Sequence, residues 1–358
     1  MTVALITGGF GFVGGHLRRE LRSRGWSVVA VGHARRSYGP NASTGPATPS
    51  RPDVPSRPDV PSRPDVPSRP DVPSRPDVPG GRNATAEPGG PAITDADVRV
   101  VDVADPAAMA ECLAEVRPDV VFHLAATSTG PDVVSRTVAA SLGLGEGLRR
   151  AGLRGVRVVH AGSSAQYGAV PMAENPVTEA TLPAPVSPYG YAKLAAEAAL
   201  CGLAADGSFE VVPVRAFNHI GPGESTATVG GAFAARVRDV LSGRAERVAA
   251  AGLDAVRDFT DVRDIVRGYA DLAERGVPGR LYNLCSGRPT TVAEVLDALL
   301  ACAGLDRSVV DLVSAPPNER SGRVAYQVGS PARVRHEVGW TATIGLEQSA
   351  KDLLEGWT

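Results

Sequence analysis

The chain begins with a short apolar run, Val3–Thr7, that stops at Thr7-Gly8-Gly9-Phe10-Gly11-Phe12-Val13-Gly14, and this junction constrains the fold more than any other stretch. An apolar run of that length ending in glycines reads as a buried parallel strand. Val13, Leu17 and Leu21 then recur every four residues, with Arg18, Arg19, Glu20 and Arg22 between them. That is an amphipathic helix, ended by Gly25. Val28–Val31 is a second strand. Glycine at positions 8, 11 and 14 lets the chain turn sharply, lets backbone approach a pyrophosphate, and lets helix and sheet pack closely. The helix start would face such an anion with unpaired amides and a partial positive charge. The segment predicts dinucleotide binding, with Gly8, Gly11, Phe12 and Val13 against the cofactor.

Alternation resumes further on. Strands are expected at Val98–Val103, Val120–Ala126, Val156–Ala161 and Glu210–Ala216, and helices at Pro106–Val116, Val133–Ala151 and Pro188–Ala205. Strands alternating with helices imply an α/β fold with a Rossmann-like, doubly wound parallel sheet. Past Phe217 the spacing loosens, with helices expected at Gly231–Leu241, Asp264–Arg275, Val292–Ala303 and Leu346–Leu354. Thr291 and Glu294 form a capping box before the third. This part reads as a smaller C-terminal α/β substrate lobe. The expected division is a dinucleotide domain over 1–217 and a mainly substrate-binding lobe over 218–358, some of whose segments return to the first domain.

Between the second and third strands, Ser-Arg-Pro-Asp-Val-Pro repeats five times from Ser50 to Pro79. A proline every third residue removes backbone donors, so neither helix nor sheet can form. The insertion, 37–94 with its flanks, is expected to be extended, disordered and solvated. A docking tether and an inert loop expansion are both possible, and slow growth of loop entropy with length favours the second.

Composition narrows the function. A formal net charge of −2 gives no electrostatic case for nucleic acid or an anionic membrane. The opening apolar run has no basic residues before it and is too short for a signal peptide or a membrane span, so a cytoplasmic enzyme is expected. Cys112, Cys201, Cys285 and Cys302 are scattered, which suits buried thiols rather than disulfides or a metal site.

Three further groups carry chemistry. The second strand ends in Gly32-His33-Ala34-Arg35-Arg36. An NAD site usually places a carboxylate there; two guanidiniums suit a 2′-phosphate, so NADP(H) is preferred and NAD(H) is possible. Asp102, with Val103 beside it, can bond the adenine amino group or cap the next helix. Ser187 and Pro188 start a helix whose Tyr189 and Lys193 share one face. A phenol ordinarily titrates near 10, and a neighbouring ammonium stabilises its phenolate. Tyr191 has only Ala195 four residues on. Finally, Ala161-Gly162-Ser163-Ser164-Ala165-Gln166-Tyr167-Gly168 ends a strand at the edge where open α/β sheets bind ligands, and a hydroxyl there can steady a carbonyl oxygen.

Together with His123-Leu124-Ala125-Ala126, Arg215-Ala216-Phe217-Asn218-His219-Ile220-Gly221-Pro222-Gly223 and Arg257-Asp258-Phe259-Thr260-Asp261-Val262-Arg263-Asp264, these segments resemble the extended short-chain dehydrogenase/reductase superfamily, also called NAD-dependent epimerase/dehydratases. The likeness is greatest to the branch of GDP-mannose 4,6-dehydratases and GDP-4-keto-6-deoxymannose reductases. It implies a catalytic triad of Ser164 (or Ser163), Tyr189 and Lys193. It implies cofactor contacts from Leu124, Ala125 and Ala126, and nucleotide-sugar contacts from Ser128, Ser163, Gln166, Asn218 and Arg257. Dehydratases of this branch carry a glutamate base in the serine turn. Gln166 best matches it and cannot take a proton at neutral pH. A reductase of a nucleotide-linked 4-keto-6-deoxyhexose is therefore expected, GDP- or dTDP-linked, ahead of a 4-epimerase, a dehydratase or a non-catalytic cofactor sensor. Ala139-Ala140-Ser141 stands where relatives carry an asparagine, which puts a structural hydrogen bond in question. The resemblance also implies a homodimer through a four-helix bundle built from the helices Val133–Ala151 and Pro188–Ala205.

Overall fold

The computed structural model describes residues 1–32, 98–313 and 324–356. In chain order, β1 (Val3–Thr7), α1 (Phe12–Ser23), β2 (Ser27–Gly32), β3 (Val98–Val100), α2 (Pro106–Val116), β4 (Val120–His123), α3 (Val133–Ala151), β5 (Arg157–Ser163), α4 (Pro188–Leu203) and β6 (Glu210–Ala216) alternate as the pattern predicts. Next come β7 (Asn218–Ile220), α5 (Val229–Leu241), β8 (Val248–Ala250), β9 (Val256–Asp261), α6 (Val262–Arg275), β10 (Tyr282–Leu284), β11 (Pro289–Thr291), α7 (Val292–Cys302), β12 (Val310–Leu312), β13 (Tyr326–Gln327), α8 (Ala332–Val338) and α9 (Leu346–Glu355). Seven strands form one parallel sheet in the order β10-β6-β5-β4-β1-β2-β3.

Strand pleating explains the double winding, because successive side chains point to opposite faces. Ala4 and Ile6 of β1, Val120 and Phe122 of β4, and Val159 and Ala161 of β5 meet Leu17 and Leu21 of α1 and Ile265, Tyr269 and Leu272 of α6. The intervening Leu5, Val121 and Val158 meet Met109 and Leu113 of α2, Leu144 and Leu148 of α3, and Leu200 of α4. Each fully buried leucine or valine contributes roughly 1.5–3 kcal/mol, so both faces of the sheet are strongly held.

Two strands are shorter than expected. β3 ends at Val100, and Asp102 and Val103 lie beyond it; β4 ends at His123. The strand β10, well past residue 217, pairs with β6 and extends the main sheet. Trp340 is fully buried in that sheet's core and its indole donates to the Asp264 carbonyl at 2.9 Å. A separate core joins α5, α7 and α9 to β8 and β9. The capping box at Thr291 and Glu294 is present, as is the Ser187 cap of α4. Among the described residues, no helix is long and apolar enough to cross a membrane.

Candidate active site

The register of the sheet gathers the predicted residues along one edge. Thr7, His123 and His160 are in-register partners across β1, β4 and β5. The glycine turn and the Leu124–Ala126 segment leave the sheet just past that row, and the serine turn leaves it three residues further on, at the end of β5. At the first, Gly11 caps α1 with no side-chain bond, and no acidic residue occupies the first turn. The first amides of a helix lack internal partners, so this end is built for an anion. Gly8 has φ +71°, and a Cβ there would stand 2.9 Å from the Ala125 nitrogen. A Cβ on Gly14 would stand 2.6 Å from the Gly8 oxygen. A dinucleotide's pyrophosphate fits this cradle; a side chain at Gly8 or Gly14 would not.

A buried polar row braces the turn from below. The Thr7 hydroxyl lies 2.8 Å from His123 Nδ1 and accepts the Ala125 N–H at 3.3 Å. His123 Nε2 lies 2.9 Å from the Ser141 hydroxyl. Thr137 accepts the Thr127 N–H at 3.1 Å, holding the loop that carries the half-buried Ser128. Ser141 and Thr137 thus tie α3 to β4 and to the loop that follows it. Burial, helped by the charge of Lys193, pushes His123 down to about 3, and His160, stacked on it at 5.5 Å, is also pushed well down. The Phe12 ring packs edge-on to His16 at 5.5 Å and stacks on His219 at 5.9 Å. His16 donates to the Pro222 carbonyl at 2.9 Å, and burial lowers it to about 4.

At β5, Lys193 is 5% exposed and its ammonium donates to the Ala161 carbonyl at 2.7 Å. Tyr189, one turn earlier, is half-buried, whereas Tyr191 is 57% exposed. Ser163 is half-buried at the strand end, and its hydroxyl accepts the Ala165 N–H at 3.2 Å; Ser164 is buried. Gln166 stands in the short helical turn that follows β5. It is fully buried. Its carbonyl accepts the Ser163 N–H at 2.8 Å, and its amide donates to Glu197 at 2.9 Å. These bonds fix the amide between the end of β5 and α4.

Glu197 was not anticipated. It follows Tyr189 and Lys193 at the same four-residue spacing on α4 and pairs with Arg215 of β6 at 2.7 Å. Arg215 lies over the Tyr167 ring at 4.6 Å, and the Tyr167 hydroxyl donates to Asn283 of β10 at 2.7 Å. The spacing on α4 was a usable signal, since an acid on a helix face that turns inward requires a buried cation.

Asn218 is half-buried at the start of β7, which pairs with β9 beside Phe259, two residues from Arg257. Arg257 is 8% exposed and donates to the carbonyls of Val256 at 2.8 Å and Val324 at 2.5 Å. Burial lowers its pKa, and the ion pair with Asp258 or Asp261 that the sequence also allows does not form. Asp102 accepts the Ala104 N–H at 3.0 Å, while Asp105 caps α2. Arg35 and Arg36, like the repeat segment, lie outside the described residues.

Comparison with known proteins agrees with this geometry. The model of the NAD dependent epimerase/dehydratase family matches residues 4–285. GDP-6-deoxy-D-mannose reductase of Pseudomonas aeruginosa is 30% identical over 264 residues, covering 72% of this chain and 85% of that enzyme. UDP-glucose 4-epimerase of Neisseria gonorrhoeae is 29% identical over 276 residues, covering 70% of this chain and 79% of the epimerase. The structure of RMD from Pseudomonas aeruginosa complexed with NADPH superposes with a TM-score of 0.71 at 24% identity, covering 99% of this chain and 98% of that one, and at that identity the likeness speaks to the fold. The chain belongs to the NAD dependent epimerase/dehydratase family and is an enzyme of the extended short-chain dehydrogenase/reductase type.

Proposed function

We propose that the chain is an NADPH-dependent reductase of a nucleotide-linked 4-keto-6-deoxyhexose, and that it delivers hydride to C4. The observation that carries the reading is the placement of Lys193, whose ammonium is tethered to the carbonyl of Ala161, with Tyr189 one helical turn before it and the Ser163 hydroxyl at the end of the same strand. Gly8, Gly11, Phe12 and Val13 would hold the dinucleotide's pyrophosphate, with Leu124, Ala125 and Ala126 beside it. Arg35 and Arg36 support the preference for a 2′-phosphate. When bound, the reduced nicotinamide supplies the hydride. Of the two candidate hydroxyls, Ser164 is buried, so Ser163, the half-buried alternative whose hydroxyl accepts from the backbone and keeps its own proton to give, would donate to the C4 carbonyl oxygen in its place. Tyr189 would pass its phenolic proton to that oxygen as the negative charge develops, leaving an alcohol and a tyrosinate that solvent reprotonates. Lys193 would stabilise the tyrosinate. Arg257 and Asn218 would hold the anionic nucleotide-sugar.

Elimination is disfavoured because Ser163–Gly168 contains no carboxylate and the Gln166 amide is turned inward. The reductase relative supports net reduction over epimerisation. The 4-epimerase relative keeps the second reading open, and retention of tightly held NAD(P)+ through purification would favour it. The exposed Val134 and Leu142 on α3 and Tyr191 on α4 support a homodimer through those helices.

The test offers the purified protein a panel of nucleotide-linked 4-keto-6-deoxyhexoses and follows loss of NADPH absorbance. At least one sugar should be reduced, and Tyr189→Phe should slow that reaction by about 10²–10⁴-fold. No oxidation with any sugar refutes the reductase reading.

A further inference from the structure

Gln327 has no part in the residues discussed so far, yet it touches the serine turn directly. It is 5% exposed in β13, and its amide nitrogen donates to the Ser164 carbonyl at 3.1 Å and to the Gly168 carbonyl at 3.0 Å. A primary amide carries two N–H donors, and both are used here. The two carbonyls bracket the single helical turn, Ser164–Gln166, that follows β5.

The backbone of the same segment is fixed to a different part of the fold. Gln327 is the in-register partner of Arg257 on β9. The next amide, of Val328, donates to Asn175 at 2.9 Å. The amide of Gly329 donates to Asp258 at 3.2 Å, and Asp258 also receives the amides of Ser286 and Gly287, each at 2.8 Å. Main chain on one side and a side chain with both donors committed on the other make this segment a strut. It joins the strand bearing Arg257 to the turn bearing Ser163, and no backbone pairing between β5 and β9 does so among the described strands.

The geometry points to Gln327 as a positioning residue that sets the separation between the serine hydroxyl and Arg257. The inference rests on the proposed roles of those two groups. If the anionic nucleotide end is anchored at Arg257, the sugar carbonyl reaches the hydroxyl only when that separation is right. An error of about 1 Å in such placement costs up to about a hundredfold in rate.

Gln327→Met keeps the length and volume of the side chain and removes both donors. With the sugar that the wild type reduces best, kcat should fall by about tenfold to a hundredfold. KM for that sugar and Kd for NADPH should stay within about threefold, because Arg257 and the glycine turn are untouched. Amide exchange at Ala165 and Tyr167 should rise while the rest of the chain is unchanged. Gln327→Glu places a carboxylate against two carbonyls. It should lose more activity than Gln327→Met at neutral pH and regain part of it in acid, where a protonated carboxyl can donate once. A wild-type kcat in Gln327→Met, unchanged exchange at the turn, or a raised KM at constant kcat would each overturn the assignment. A wild type inert towards every sugar overturns the reductase reading and this role with it, whereas an active wild type beside a fully active Gln327→Met overturns this role alone.

Discussion

Replacing Glu197 by alanine should cost about 4 kcal/mol of stability, nearly all of it from what is left behind. Arg215 is 4% exposed, and among the described residues Glu197 is its one carboxylate partner, bonded to Nη2 at 2.7 Å and to Nε at 3.3 Å. Burial works against the guanidinium charge, but those bonds outweigh it and hold its pKa above the ordinary value. Without Glu197, Arg215 keeps its contacts with Tyr167 but no described carboxylate, and the Gln166 amide loses its acceptor. Stranding one member of a buried pair costs about 3–5 kcal/mol, and an unmet amide donor about 1–3, the two overlapping because both groups bond the same carboxylate. A domain's whole stability is about 5–15 kcal/mol, so the variant should unfold at much lower urea with an unchanged m-value. The double variant Glu197→Leu with Arg215→Met removes both charges and should recover most of the loss, since apolar replacement of a buried pair is often neutral. If Glu197→Ala loses less than about 1 kcal/mol, or the double variant is worse than the single, water reaches the pair and the reasoning is wrong.

Stability should also fall as the solution is acidified through the histidine range. His16 is held at about 4 by burial against an ordinary 6.5, so the unfolded chain binds the proton first. Its contribution is complete above pH 6.5 and is lost towards pH 4, about 2 kcal/mol of it by pH 5. His123 and His160 are shifted in the same direction. Urea midpoints that do not move between pH 7 and 5 would show that these imidazoles are not neutral in the fold. Gly14→Ala should weaken NADPH binding by more than about tenfold in a fluorescence titration, because the new Cβ collides with the Gly8 carbonyl and spreads the cradle; unaltered affinity would mean the turn can yield without loss.

Long periodic segments were legible in advance because they are read by pattern alone. β1, α2, α3 and β6 stand at their expected bounds. Strands of three residues, such as β7, β8 and β10, have too few positions for any period to show. The Tyr189 and Lys193 pair was readable because a helix fixes the relative direction of residues four apart. The internal bonds of Gln166 were not readable, because a turn offers no such rule for where its side chains point. Gln327 left no trace in the sequence: its partners at Ser164 and Gly168 lie more than 150 residues away and are backbone atoms of any identity.

The return of β10 and Trp340 to the main sheet bears on how the chain can be made. A ribosome that has released residues 1–217 has delivered six of the seven strands, but α6, β10 and the Trp340 plug are still unsynthesised. The part of one face that α1 does not cover therefore stays open to water until α6 and Trp340 follow, with the edge of β6 unpaired until β10 is made. A fragment cut at residue 217 should aggregate rather than fold, and a chaperone that shields apolar sheet surface would have its longest task on this protein just before the last residues emerge.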